Sequence, residues 1–459
     1  MKRPRFKGRR LGRTAAGLLI LFLTAPAVRS QAAAAKDRAF TLDNGLRVIL
    51  LERRTLPLIN IVAAVGAGTK DETDAASGVT HLLEHVILFR GTEVRSGSEV
   101  AADIRRHGAY FNAHTGPDIA TFELTSPVEY ADFALRNQKE ILFNLKISAP
   151  ELESEKEVIL EEIRQIEDDP FRIASALIYQ NLFPGHPYAN PVYGRADVLR
   201  ALTAGDVENF YRRFFVPANT ALAVVGDFGL DEMEAKVREV FGSLPRSDFK
   251  PAPLAAPAPL PKTVEIHLER DVEEGYLVIG AAGPDYNNPD QFASDVLTEA
   301  LGHGLSPKLV QALRGGRRDL VNSVSMNYIA LKRAGAFLVY AALDPKNMDA
   351  AKKEALAYLR QVRNESFSKS EFQGEEKAYA YEHLEGARNE LRISVQKAWE
   401  SGLGLAQSLA MHMMLNETPS RIDYLERIAQ VTPSDLRRIG ARYLSRAEYV
   451  VVTVQPRVK

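Results

Sequence analysis

The chain has 459 residues, 46% hydrophobic and 25% charged, which fits a soluble protein with a sizeable core and exceeds one ordinary domain. The formal net charge is −1, and the mildly acidic surface left once the basic N-terminal segment is removed argues against nucleic acid as a partner. The chain has no cysteine, which excludes disulfides and thiolate metal sites, so any metal must be held by histidine and carboxylate.

Residues 1–34 differ from the rest. Eight Lys or Arg and no acid flank an apolar run from Ala15 to Leu23, and small residues follow around Ser30-Gln31-Ala32. A basic region, a short apolar stretch and a small-residue cleavage site describe a secretory signal peptide. The mature protein is therefore expected to be exported, to a bacterial periplasm or beyond. The apolar run is shorter than the roughly 20 residues a bilayer span takes, and an uncleaved anchor is the alternative. Loss of eight positive charges from −1 leaves a mildly acidic mature chain at −9. No later stretch is apolar for long enough to span a membrane, so no stable insertion is expected after signal removal.

Gly78 to Thr92 reads GVTHLLEHVILFRGT. At about 100° per helical residue, His81, Glu84 and His85 share one arc. The remaining positions are apolar all round, which predicts a buried helix. Buried polar groups are costly without partners, and a zinc ion supplies one: both imidazoles bind it and Glu84 contacts a water. The H-x-x-E-H order is the inverse of the commoner H-E-x-x-H. Taken alone, the string also fits two core histidines bonded to backbone and Glu.

Pro150 to Pro170, PELESEKEVILEEIRQIEDDP, predicts a second helix, opened by Ser148 and Pro150 and stopped at Pro170. With Leu152 at 0°, Val158, Ile159, Ile163 and Ile166 make an apolar arc that also holds Glu155 and Glu162. Two carboxylates on a core face need a cation or a hydrogen-bonding partner. Glu162 as third zinc ligand, with Glu155 orienting a ligand histidine, satisfies both. Salt bridges to core arginines are the competing explanation. Three protein ligands and an open position describe a catalytic site, in which Glu84 would take a proton from water and pass it to the leaving amine.

A Pro- and Ala-rich stretch, 250–262 (KPAPLAAPAPLPK), predicts an extended linker between residues 35–249 and 263–459. The two halves match. LTAGDVENFYRRFFVPANTALAVVG from Leu202 aligns without a gap with VTPSDLRRIGARYLSRAEYVVVTVQ from Val431, at a shift of 229. Leu51-Glu52-Arg53 aligns with Leu268-Glu269-Arg270 at a shift of 217, and INIVAAVGAG matches GYLVIGAAGP. The expected fold class is α+β: two homologous domains from an internal duplication, each a mostly antiparallel sheet packed with helices.

These residues together resemble the pitrilysin/insulinase family of zinc peptidases, in particular its short members related to mitochondrial processing peptidase, from about Phe40 to Pro456. HLLEH followed 77 residues later by Glu162, with Glu155 seven residues before it, is similar to the family's spacing. The resemblance implies one zinc held by His81, His85 and Glu162, with Glu84 and Glu155 as the catalytic carboxylates. NAHTGPDIATFEL (Asn112 to Leu124) looks like the family's substrate-pairing strand, which implies peptide contacts at Asn112 and Ala113. HPYANPVYG (His186 to Gly194) also matches. In the second half Thr298, Leu301 and Gly302 stand where the first has its metal residues, as in the family's non-catalytic domain. That domain usually carries an Arg and a Tyr seven residues apart that contact substrate. Here Arg314 is followed at that distance by Val321. The resemblance therefore implies a dimer, homo- or heteromeric, with a related double-domain chain that completes the site. The alternatives are a non-catalytic assembly subunit and a protein that sequesters zinc or peptide.

Overall fold

The computed structural model describes residues 36–303, 307–314, 319–367, 376–416 and 423–457, and the expected signal segment 1–34 lies outside them. Among the described residues, β1 (Lys36–Thr41), β2 (Arg47–Glu52), β3 (Leu58–Val65), β4 (Tyr110–Thr115), β5 (Ala120–Pro127) and β6 (Thr220–Gly226) form one sheet in the order β1-β2-β6-β3-β5-β4. A second sheet holds β7 (Val264–Arg270), β8 (Gly275–Gly283), β9 (Ser323–Ala330), β10 (Gly335–Leu343) and β11 (Val450–Pro456), ordered β7-β11-β8-β10-β9. All pairings are antiparallel except β2 with β6 and β7 with β11.

The ladders carry the duplication at single-residue register. Leu51 on β2 lies opposite Val225 on β6, and Leu268 on β7 lies opposite Val454 on β11. Those pairs are related by the same shifts of 217 and 229 that align the two halves in sequence. The fold is α+β with two matching halves.

Central strands such as β3 (LINIVAAV) and β6 (TALAVVG) are apolar on both faces, so each sheet needs cover on both sides. On one face of the first sheet, Ile61, Ala63 and Val65 pack with Leu82, Leu83 and Val86 of α1 (Val79–Phe89). The acid-rich segment forms α2 (Ala149–Asp168), separated from α3 (Pro170–Leu182) by the single residue Asp169, which caps α3. The second half contributes α4 (Asp290–Gly302), α5 (Glu376–Glu400) and α6 (Gly402–Asn416).

The halves exchange their covering helices. Ala406, Leu409, Ala410 and Met413 of α6 lie on Val62, Ala64, Ala221 and Ala223 of the first sheet. Reciprocally, Ala174, Ile178 and Leu182 of α3 lie on Val278, Leu338, Val450 and Val452 of the second. Gly280 on β8 leaves the space for this: a Cβ there would sit 2.3 Å from Ile178 Cγ2. The Pro/Ala stretch has no helix or strand, and it is not a free tether. Leu254 and Leu260 pack into the same cluster as α3, and the Leu254 and Ala255 carbonyls accept from Arg333 and His186. Asp118, in the β4–β5 turn, fastens the halves directly. It accepts from the Tyr188 hydroxyl at 2.5 Å and from the Lys332 backbone N–H, in the β9–β10 turn, at 2.8 Å.

Candidate metal centre

Every residue of α1 from Val79 to Ile87 is buried. Its N-terminus is built from one contact remote in sequence, with Gly194, and two local ones, with Glu72. Gly78 adopts φ +94°, and a Cβ on it would lie 2.8 Å from the Cα of Gly194, itself at φ +80°. The two glycines let the 186–194 loop press against the start of the helix. The buried Glu72 carboxylate accepts from the Gly78 and Thr80 N–H groups at 2.8 and 3.0 Å, satisfying donors that a helix start leaves open. Burial pushes the Glu72 carboxyl up to about 7 despite those bonds.

The second helix delivers its acids from the side. In α2, Leu152, Glu155, Lys156, Ile159 and Leu160 are buried. Val158, expected in the apolar arc, is instead 46% exposed. The buried face is centred nearer Leu152 than the apolar residues alone indicate. Lys156 belongs to it because its ammonium reaches the Leu202 carbonyl and Glu153.

These two helices bring one ligand atom each from His81, His85 and Glu162 within 4.8 Å of one another. The His81 Nε2 to Glu162 Oε2 distance is 3.6 Å, and His85 Nε2 to Glu162 Oε1 is 3.7 Å. Both histidines are buried, while the Glu162 side chain is 33% exposed, so the cluster opens on one side. Glu155 is buried and contacts two partners. Its Oε2 lies 3.1 Å from His85 Nδ1 and its Oε1 2.5 Å from the Arg90 guanidinium. Histidine orientation and an ion pair to arginine, competing explanations from sequence, are both present in this one carboxylate.

Burial, reinforced by the adjacent His85, pulls His81 down to about 3, so it is neutral at ordinary pH. Burial raises the Glu84 carboxyl, opposed by the nearby His85 and His114 imidazoles. His81 Nδ1, Glu84 Oε2 and Thr115 Oγ1 are buried with no hydrogen-bonding partner among the described residues. Two buried imidazoles and a carboxylate converging on one point, with an unsatisfied carboxylate oxygen alongside, fit a zinc ion with an open position. Such an arrangement can bind a water and take its proton.

The remaining sequence candidates are placed as follows. Asn112 and Ala113 lie on β4, which among the described residues pairs only with β5 and has no strand on its other edge. Ala113 is buried beneath that edge, and the Asn112 amide reaches toward His114 at 3.5 Å. Arg314 ends the short Lys308–Arg314 helix, exposed, with no bond to the cluster. Val321 is buried in the second core. Thr298 and Leu301 are buried in α4. Glu72, Arg90 and Tyr193 also support the site, although nothing in their sequence context assigns them to it. Tyr193 sets its ring 4.7 Å from that of His81 at 74°. Only the neighbouring glycine in PVYG signalled a close approach.

The insulinase family (peptidase family M16) matches residues 47–196, and the M16 inactive domain matches residues 201–379. An uncharacterized zinc protease of Mycobacterium leprae is 31% identical over 307 residues, covering 66% of this chain and 68% of that one. Zinc protease PqqE of Helicobacter pylori is 25% identical over 455 residues, covering 95% and 97%. Among solved structures, a protease from Helicobacter pylori superposes with a TM-score of 0.82 at 24% identity, over 92% of this chain and 100% of that one, a likeness of fold.

Proposed function

This chain belongs to the insulinase family of peptidases, and from that membership we propose that it is a zinc-dependent endopeptidase that hydrolyses extended or unfolded peptides. The observation that carries the proposal is the convergence of His81, His85 and Glu162, from two separate helices, within 4.8 Å. These three would hold the zinc. When bound, it supplies Lewis-acid polarisation of the scissile carbonyl and lowers the pKa of a water. Glu84 accepts the proton of that water and returns it to the departing amine. Its raised pKa suits a group that must both take up and release a proton. Glu155, held by Arg90, keeps the His85 ring turned so that Nε2 faces the site. The open edge of β4 offers main-chain groups to an extended peptide with little demand on its sequence.

The inactive-domain match falls on residues 201–379, outside the cluster. It accords with a second half that carries Thr298, Leu301 and Gly302 at the equivalent positions, and with Val321 buried in the core. We therefore infer a partner, a second copy or a related double-domain chain, that faces the metal site and completes substrate binding. The chain would work after export. Val321 also favours a second reading, a non-catalytic assembly or peptide-binding subunit.

The test is zinc content together with cleavage of a quenched fluorescent peptide, with and without chelator. Glu84→Gln should keep the metal and lose roughly 10²–10⁴-fold in turnover. Chelator-insensitive cleavage would refute the proposal. Full zinc loading without cleavage, alone or with the related chain, would favour the non-catalytic reading, and strong activity as a monomer would remove the need for a partner.

A further inference from the structure

The two ligand histidines are held differently. His85 has its Nδ1 against Glu155. His81 has no such acceptor: its Nδ1 is buried without a hydrogen-bonding partner among the described residues. A metal ligand left free to rotate binds weakly, because ring orientation must then be fixed at the expense of binding. Among the described residues, the further ring contact that His81 makes besides His85 is with Tyr193. The rings stand edge to face, centroids 4.7 Å apart and planes at 74°. Tyr193 is itself anchored from both sides. Its neighbour Gly194 is locked against Gly78 at the start of the helix that carries His81. Behind it, Arg172 at the start of α3 lies 6.0 Å from the tyrosine ring and donates to its hydroxyl at 3.4 Å.

We propose that Tyr193 is the positioning residue for His81, its flat aromatic face fixing the imidazole and receiving the Nδ1–H edge that no oxygen meets. The inference rests on the zinc site proposed above and extends it to a residue outside the ligand set. An N–H pointed at an aromatic face is a weak bond, and here the ring's main contribution is the wall that removes the alternative rotamers of His81. The hydroxyl points toward Arg172, away from this task, so the ring and not the oxygen should matter.

Zinc affinity of the full chain, measured by competition with a chromophoric chelator, tests this without reference to turnover. Tyr193→Phe keeps the face and should bind zinc within about 2-fold of wild type, whereas Tyr193→Leu keeps bulk without a flat face and should bind roughly 10- to 100-fold more weakly. Wild-type affinity in the leucine variant overturns the proposal, as does a phenylalanine variant as weak as the leucine one. Absence of zinc binding in wild type would instead sink the metal site itself, so the two failures are distinguishable. Should the leucine variant not fold, the zinc-loaded wild type labelled with ¹⁵N-histidine decides. The His81 Nδ1–H should resonate upfield of imidazole N–H groups bonded to oxygen, and a resonance among them overturns the assignment.

Discussion

Replacement of Glu155 by glutamine should cost the protein most of its metal while changing no ligand. The wild-type carboxylate accepts on both oxygens, from His85 Nδ1–H at 3.1 Å and from Arg90 at 2.5 Å. An amide has one acceptor and one donor end. If its oxygen stays with Arg90, its NH₂ meets His85 Nδ1–H, donor against donor, and the imidazole can escape only by moving its proton to Nε2, the atom the metal needs. If the amide turns round, its NH₂ opposes the guanidinium, whose charge then loses its partner. Loss of a carboxylate that orients a ligand histidine weakens binding roughly 10- to 100-fold, or about 1.4–2.7 kcal/mol. Chelator competition on Glu155→Gln, alongside ¹⁵N spectra of the His85 tautomer, reads both halves of the effect. Wild-type zinc affinity with the Nδ1–H tautomer retained would show that Glu155 does not orient His85.

Three further outcomes test the frame around the site. Asp118→Ala strands the Tyr188 hydroxyl and the Lys332 N–H between the halves and should destabilise the protein by about 1–3 kcal/mol in urea unfolding, against little change for an exposed acid such as Glu157→Ala. Gly280→Ala drives a methyl into Ile178 at the crossing of α3 and the second sheet. It should cost about 1–3 kcal/mol, partly relieved when combined with Ile178→Val, and additive losses would argue against direct contact. Burial raises Asp295 from 3.8 to about 7, opposed by the Tyr424 hydroxyl and assisted by Glu299. The folded state therefore holds this proton more tightly than the unfolded one. The stability this provides is complete below about pH 4 and is lost as pH rises through 7. Asp295→Asn should flatten the fall in stability between pH 5 and pH 8 by roughly 3 kcal/mol, and an unchanged slope would place the titration elsewhere.

The sequence was most informative where the physics is local. The limits of α2 follow from Pro150 in its first turn and Pro170 just past its end, while Ser148 holds the N-cap position without a side-chain bond, and the burial of α1 follows from an apolar surface. The duplication was legible because matched segments keep the same register in both sheets. What periodicity cannot supply is the direction from which a neighbour arrives. Val158 lies exposed because Lys156, charged but with a long apolar stem, occupies the buried side in its place. The exchange of α3 and α6 was hidden because an apolar helix face does not say which sheet it covers. Glu72 holds the start of the ligand helix, Arg90 holds Glu155 and Tyr193 packs on His81, and in sequence each resembles an ordinary loop or helix-end residue.

The most direct measurement is an anomalous difference map recorded at the zinc edge from crystals of the zinc-loaded protein. A single peak per chain is expected, about 2.0–2.2 Å from His81 Nε2, His85 Nε2 and a Glu162 oxygen. A peak that lacks any one of these three ligands, or that lies elsewhere in the fold, would contradict the proposed zinc site.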